Sequence, residues 1–550
     1  MTKNKPLEFR PPAISAGVAT GYLYGAHWCY ELSQAGYDMG TVGALLAGGM
    51  AVKEIIRFMD DSSKLRVYRE RMRRLEEAAK DQGEAQFASF QEIKAAGLLA
   101  MHGVVLGSMK RGRRRFDIRV NSENSGIWMG APGAGKTTSS IINTLLTNPQ
   151  TTIVNDHSCE ILAVTEHARQ LMGHETLVLT SSPSAVEEII GRKINAIYLN
   201  NYSAINFGGA PGKLRAEIEA RSRLYVPQRH DEDDKSRFFR TDGRELISFI
   251  ALYLAFTGEV VTLPKIRSVL LSGPDALAEM FSRCLNSSAF GGVLAEIANG
   301  LLMIKMDAPE QFAGGFGVAI QAVKWADHAS EVGQVLSKTT FEPARIKDNK
   351  PVTIYVCLPG ELSETHQLFG SSVFSYMWRT ICKDTRSKRI LNLLEECITL
   401  GQIPLHYAIE QGRKHNLVTY AAFQETVGQM EAIYGKNGVK RLLAAVECIW
   451  ASNIREPETC ELLSKMAGAR ASHGASTTDR SGFSADMPDQ TFSRSASSVP
   501  LMRAEAIRTL PRGKALVFYQ NLHPILLDKC PYFLDRRLRA IAQPNPYYKG

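Results

Sequence analysis

The stretch Gly130-Ala131-Pro132-Gly133-Ala134-Gly135-Lys136-Thr137 constrains this chain more than any other. It reads GxxxxGKT, the pattern of a phosphate-binding loop, which needs a buried strand before it and a helix N-terminus after it. The apolar run Gly126-Ile127-Trp128-Met129 supplies the strand. Thr137 to Leu146, with Ile141, Leu145 and Leu146 apolar, reads as the helix. The glycines let backbone N–H groups approach phosphate oxygens closely, and the helix dipole favours an anion at the same place. The pattern therefore predicts ATP binding by Gly130 through Thr138, with Lys136 on the β- and γ-phosphates and the Thr137 hydroxyl on Mg²⁺.

Short apolar runs then alternate with longer helical patterns. Thr151 to Val154, ending at Asn155-Asp156, and Leu177 to Thr180 read as strands. This alternation implies an α/β fold with a parallel sheet. It breaks from about Phe207 to Lys338, where helical periodicity dominates, including Glu245 to Phe256 and Asp275 to Arg283. Strand patterns resume at Val352 to Cys357, Ile390 to Leu394, Leu417 to Phe423, Ala445 to Trp450 and Ala515 to Tyr519. Ala471 to Pro500, rich in Ser, Thr, Gly and Asp, reads as a long loop.

Two apolar stretches precede all of this, Ala13 to Tyr30 and Met39 to Met59. Gly17, Gly21 and Gly25 form GxxxGxxxG in the first, and Ala44/Gly48 and Ala47/Ala51 repeat small-xxx-small in the second; such faces let spanning helices pack closely. Lys3, Lys5 and Arg10 flank the first, and Arg57, Lys64, Arg66, Arg69, Arg71, Arg73 and Arg74 lie at the end of the second or beyond it. The intervening Glu31 to Asp38 has no Lys or Arg. The positive-inside rule places both termini in the cytoplasm. Ser62 to Ala88 reads as a charged helical stalk, and Lys110-Arg111-Gly112-Arg113-Arg114-Arg115 as a basic hairpin tip that is either solvated or in contact with phosphate or lipid headgroups. The formal net charge of +9 permits such contacts without requiring them. The nine cysteines form no CxxC pair or Cys/His cluster and read as reduced thiols.

A phosphate-binding loop alone does not hydrolyse; an acidic strand end must hold Mg²⁺ and polarise water. Arg389 to Leu394, closing on Glu395-Glu396, supplies one. Because ligands collect at the carboxyl ends of parallel strands, both carboxylates fall opposite Lys136. Leu417 to Phe423 ends at Gln424, whose amide suits it to orient the attacking water.

These residues together resemble the type IV secretion coupling proteins, the TraG-like conjugation ATPases. Gly103-Val104-Val105-Leu106-Gly107 and the phosphate loop are similar to that family's opening. Thr152 to Glu160 sits where the family has a strand ending Asp-Pro-Lys-Gly-Glu; Asp156 and Glu160 match, the three between do not. Arg389 to Glu396 with Thr399-Leu400-Gly401-Gln402-Ile403-Pro404 resembles its Walker B stretch. Gly412-Arg413, Phe423-Gln424, Gln429, Tyr434-Gly435, Glu456-Pro457-Glu458-Thr459, Ser464, Gly468, Leu501 to Leu510 and Pro531-Tyr532-Phe533 resemble its later blocks.

The resemblance implies a two-helix inner-membrane anchor over residues 1–61, with spans at about 12–30 and 39–59. It implies a RecA-like P-loop domain in two parts, 62–206 and 341–550, and an inserted all-α domain over 207–340. It implies a homo-hexamer that delivers relaxase-bound single-stranded DNA, or secreted protein substrates, to the ATPases and inner-membrane subunits of a type IV secretion channel. On this resemblance Lys136 and Thr137 hold ATP and Mg²⁺, Glu395 takes the Mg²⁺-linked position, Glu396 polarises water, Gln424 is the sensor, and Arg413 acts across the subunit interface. Glu395 stands where the family has Asp, and the added methylene is expected to shift the carboxylate by more than an ångström. Two other readings follow from the same residues: an FtsK-type DNA translocase, and a nucleotide-binding docking platform with little turnover.

Overall fold

In a computed structural model of the chain, the described residues are 85–227, 233–359, 364–424, 427–478 and 491–548, with isolated helical positions between 27 and 70. The expected spans at 12–30 and 39–59 lie outside them apart from such isolated positions, as does most of the charged stretch after the spans. Two units are distinguished, residues 1–85 with 468–501 and residues 86–467 with 502–550.

In the first unit, Ala469–Thr478 and Thr491–Pro500 pair as an antiparallel hairpin, from Ala469↔Pro500 to Thr478↔Thr491. This corrects the expectation of a loop at 471–478 and 491–500; residues 479–490 lie outside the described ones. Ladder hydrogen bonds need only backbone, and a run of Ser, Thr, Ala and Gly carries no apolar alternation to mark it as strand.

The second unit is built on an eleven-stranded sheet. Its strands are β1 (Val104–Arg111), β2 (Arg114–Val120), β3 (Gly126–Met129), β4 (Thr151–Asp156), β5 (Glu175–Thr180), β6 (Val352–Cys357), β7 (Ile390–Leu394), β8 (Leu417–Phe423), β9 (Cys448–Ala451), β12 (Lys514–Tyr519) and β13 (Ile525–Asp528). The hairpin of the first unit supplies β10 and β11. The order is β2-β1-β13-β12-β9-β3-β8-β7-β4-β6-β5. From β9 to β5 every pairing is parallel. The parallel sheet expected from the alternation is therefore present, but β12, β13, β1 and β2 extend it as an antiparallel edge. β9 begins at Cys448, not Ala445, because the helix Val427–Ala445 occupies the first part of the expected strand.

Alternate strand residues enter two cores, as the two-residue period of a strand requires. Ile127, Met129, Ile153, Leu177, Leu179, Ile354 and Val356 face one side. Trp128, Val154, Val178 and Tyr355 face the other. Being covered on both faces, the parallel strands read as continuous apolar runs. Between β5 and β6 the chain forms helices from Pro183–Ile190 to Glu331–Val335; the first packs in the second core through Val186, and those from Pro211–Tyr225 onward share the first core with the sheet. Among the described residues one helical stretch, Ala289–Asp307, is long and apolar enough to cross a membrane. Its Val293, Leu294, Ile297, Ala298 and Leu301 are buried in that same core.

The phosphate loop continues through a π-type turn, Thr137–Ile141, into α1 (Ile142–Thr147). Helix and turn are fixed to the strand beside them. Ser140 Oγ donates to Val105 O, and Val105 N donates to Thr144 Oγ1 at 2.9 Å. On the same face, α2 (Glu160–Leu171) carries Arg169, whose side chain is fully buried. Its guanidinium donates to Thr353 Oγ1 at 2.9 Å, to Gln150 O at 2.5 Å and to Asn148 O. These bonds hold the α1–β4 connection and so fix where β4 begins. Arg169→Met would take the donor from the buried Asn148 carbonyl and leave Gln150 O with Thr152 Oγ1 alone, and an orphaned buried group costs about 1–3 kcal/mol. We expect the variant to lose about 3 kcal/mol of unfolding free energy, read as a lower urea midpoint at pH 7.

Candidate nucleotide site

Parallel strands put all their carboxyl ends at one edge. There β3 opens into the phosphate loop, β4 ends at Asp156, β7 at Glu395 and β8 at Gln424. The loop is anchored from below: Gly130 N donates to Phe423 O at 3.2 Å and Ala131 N to Asn453 O at 3.3 Å. A Cβ on Gly130 would lie 2.5 Å from Ser452 O, so only glycine fits. Gly133 and Gly135 turn the loop with φ of 73° and 79°, a conformation costly for other residues.

A cavity of about 750 Å³ opens over the loop, within the roughly 300–1,000 Å³ typical of small-molecule sites. It is lined by Pro132 to Thr138 and by Glu395, Glu396 and Gln424. The sequence-predicted groups therefore converge, with Gly130 and Ala131 buried behind the lining. Thr137 Oγ1 donates to Glu395 Oε1. The side chain of Glu395 thus brings its carboxylate to the Thr137 hydroxyl. Asn155 Nδ2 donates to Glu395 O at 2.5 Å and so secures the end of β7 to β4. Glu396 is left-handed, φ 45°. A non-glycine residue held there stores strain of order 1–3 kcal/mol, a feature that clusters at functional sites. Gln424 Nε2 donates to Glu396 Oε1, so the amide orients the carboxylate.

Burial dominates the electrostatics. It pushes the Lys136 ammonium down to about 8, against the opposing pull of Glu396 and Glu395. Lys136 Nζ donates to Gly130 O. Burial raises Glu395 well above the carboxylate range, and the Asp156 carboxylate adds to the shift. It raises Asp156 to about 7, although Leu162 N donates to Asp156 Oδ2 at 2.7 Å. Asp156 Oδ1 is buried without a hydrogen-bond partner. Oxygen donors from Thr137 and Glu395, in reach of each other, suit a hard cation such as Mg²⁺. The unpaired Asp156 oxygen lies at the end of the adjacent strand.

Arg413 is elsewhere. It lies in the turn Gly412–His415 before β8, at the amino end of a strand whose carboxyl end reaches the cavity. The seven-residue strand separates the two ends by roughly 23 Å at ~3.3 Å per residue. Its guanidinium is mostly exposed, 3.8 Å from Glu447 Oε1. The sequence reading also missed Lys529. Lys529 Nζ donates to Ala134 O at 2.6 Å and to Ser452 Oγ at 2.8 Å, bracing the loop from β13. Burial, then repulsion from Lys136, lowers its ammonium to about 8. A lone lysine after a short strand carries no sequence signal. His157, Ser158, Glu160, Tyr532, Phe533, Asn545, Tyr547 and Tyr548 complete the lining; of these, all but Asn545, Tyr547 and Tyr548 fall in stretches already singled out in the sequence.

A family model described as type IV secretory system conjugative DNA transfer matches residues 86–548. The chain belongs to that family. It is 20% identical over 432 residues to the type IV secretion system-coupling protein VirD4 of Bartonella quintana (strain Toulouse), an alignment covering 76% of this chain and 64% of that protein. It is 23% identical over 433 residues to the conjugal transfer protein TraG of Rhizobium radiobacter, covering 77% and 64%. The chain thus spans a little under two thirds of the length of these relatives. Among solved structures, the plasmid coupling protein TrwB in complex with the ATP analogue ADPNP has a TM-score of 0.59 at 15% identity, covering 81% of this chain and 93% of that one. TrwB in complex with ADP and Mg²⁺ gives 0.56 at 15% identity, covering 82% and 93%. At these identities the likeness establishes a common α/β nucleotide-binding fold.

Lys529→Met would remove the donor that braces Ala134 O from below. We expect about tenfold weaker nucleotide binding, equivalent to the ~1.4 kcal/mol of one well-formed hydrogen bond, with the far-UV circular dichroism unchanged. Isothermal titration with a non-hydrolysable ATP analogue reads the effect.

Proposed function

We propose that this protein is the coupling ATPase of a bacterial type IV secretion or conjugation system. In this reading its N-terminal stretches 12–30 and 39–59 anchor it in the inner membrane, and six copies form a ring. The ring delivers relaxase-bound single-stranded DNA, secreted proteins or both to the channel, driven by ATP hydrolysis. One observation carries the proposal. In a chain of the conjugative DNA transfer family, the loop Gly130–Thr137 faces Glu395, Glu396 and Gln424 across a single cavity. The nucleotide and Mg²⁺ named for the TrwB structures fit the same donor set.

Lys136 and the loop amides would hold the triphosphate, and Thr137 and Glu395 would hold Mg²⁺. When bound, the cation supplies charge neutralisation on the phosphoryl oxygens. Glu396, oriented by Gln424, is placed to take the proton of an attacking water. Arg413, remote from the cavity of its own subunit, acts on a neighbour's γ-phosphate. An arginine so placed is worth roughly 10³–10⁵ in rate.

Lys136→Ala should abolish DNA-stimulated hydrolysis and transfer while the protein stays folded and membrane-bound. Wild-type transfer by this variant would sink the motor reading, and a docking platform with little turnover would take its place. Arg413→Ala subunits and Glu396→Gln subunits should each be inactive alone. Mixed rings of the two contain interfaces that pair an intact Glu396 with an intact Arg413, and phosphate release should recover there. No recovery in verified mixed hexamers would remove Arg413 from the neighbour's site.

A further inference from the structure

We propose that the segment 531–548 forms the nucleobase subsite of this cavity, a stacking wall of Phe533, Tyr547 and Tyr548 that holds the base by its face. The proposal rests on the nucleotide reading above and adds which part of the chain grips the base. Six aromatic side chains are exposed among the described residues: Phe87, Phe238, Phe256, Phe533, Tyr547 and Tyr548. Three of the six line the one cavity that contains the phosphate loop. Tyr547 is 53% and Tyr548 70% exposed, although leaving aromatic area in water forgoes much of its burial energy.

The segment that carries these rings is not a loose end. Gln543 N donates to Val164 O at 3.0 Å, docking the segment on α2. Asn545 is buried, and its Nδ2 donates to Glu160 Oε1 at 2.7 Å and to Tyr532 Oη at 3.3 Å. Asn545 Oδ1 accepts from Tyr547 N at 2.9 Å. Tyr547 Oη donates to Ser158 O at 2.6 Å, two residues past the end of β4. Polar bonds thus fasten the segment along α2 and the β4–α2 connection while the rings stay open over the cavity. A ring held in place but unburied, beside a phosphate-binding loop, is a preformed stacking surface. Stacking uses the π-face that every base has, so it is tolerant of base identity. Within the segment, the amide of Asn545 and the hydroxyl of Tyr547 are already committed, so its grip on a base is through ring faces.

The test uses the full-length chain in detergent and measures affinity for three probes by isothermal titration: a non-hydrolysable ATP analogue, its GTP counterpart and inorganic tripolyphosphate. Wild type should bind both nucleotides more tightly than tripolyphosphate. Tyr548→Ala and Phe533→Ala should each weaken both nucleotides by roughly tenfold, within the range for loss of one stacked base, and leave tripolyphosphate unchanged. Tyr548→Phe should bind like wild type. Variants that bind nucleotide undiminished, or that lose tripolyphosphate to the same degree, overturn the stacking wall and leave the nucleotide site standing. A wild-type chain that binds no nucleotide overturns the ATPase reading itself.

Discussion

The common direction of the strands from β9 to β5 is the constraint on which the site depends. A parallel strand delivers its last residue to the same edge as its neighbours, so groups hundreds of residues apart in sequence become neighbours in space. Thr137 and Glu395 are 258 positions apart and share a hydrogen bond. Asn155 and Glu395 are 240 apart, and the side chain of the first holds the backbone of the second. The antiparallel edge serves the same end from the other side. β13 delivers Lys529 beneath the loop, and the chain that follows brings its aromatic residues to the cavity.

The price of such a site is the concentration of charge in a place with little water. Burial depresses both lysines, Lys136 depresses Lys529 further, and Asp156, Glu160 and Glu395 are all raised by burial. Ionised, these groups are expensive to bury unless paired. On the proposed function a triphosphate would answer the lysines and a divalent cation the carboxylates, so binding would relieve what folding stores. The left-handed backbone at Glu396 is a second store of the same kind, kept in place by the fold on both sides of it.

The sequence disclosed what is local. GxxxxGKT specifies its own geometry, because glycine, a helix N-terminus and a lysine act within eight residues. Strands buried on both faces are uninterrupted apolar runs, so β4, β5, β6, β7, β8 and β12 were legible to within a residue or two. The hairpin at Ala469–Thr478 and Thr491–Pro500 was not, because its ladder is made by backbone and its residues are small and polar. Nor was β13, whose four residues are too few to establish a period.

The sequence by itself determined the chemistry on offer: a phosphate-binding loop, an acidic strand end and a glutamine at the next strand end, in a family of conjugative DNA transfer proteins. Only the tertiary structure decided which residues share the cavity. It placed Arg413 at the opposite end of β8 from the loop and set Glu395 against Thr137. It also enlisted Lys529, Asn155 and the aromatic C-terminal segment. The physical reason is that a motif is carried by neighbours along the chain, whereas a cavity wall is chosen by strand order and direction, and these are fixed by packing across the whole sheet.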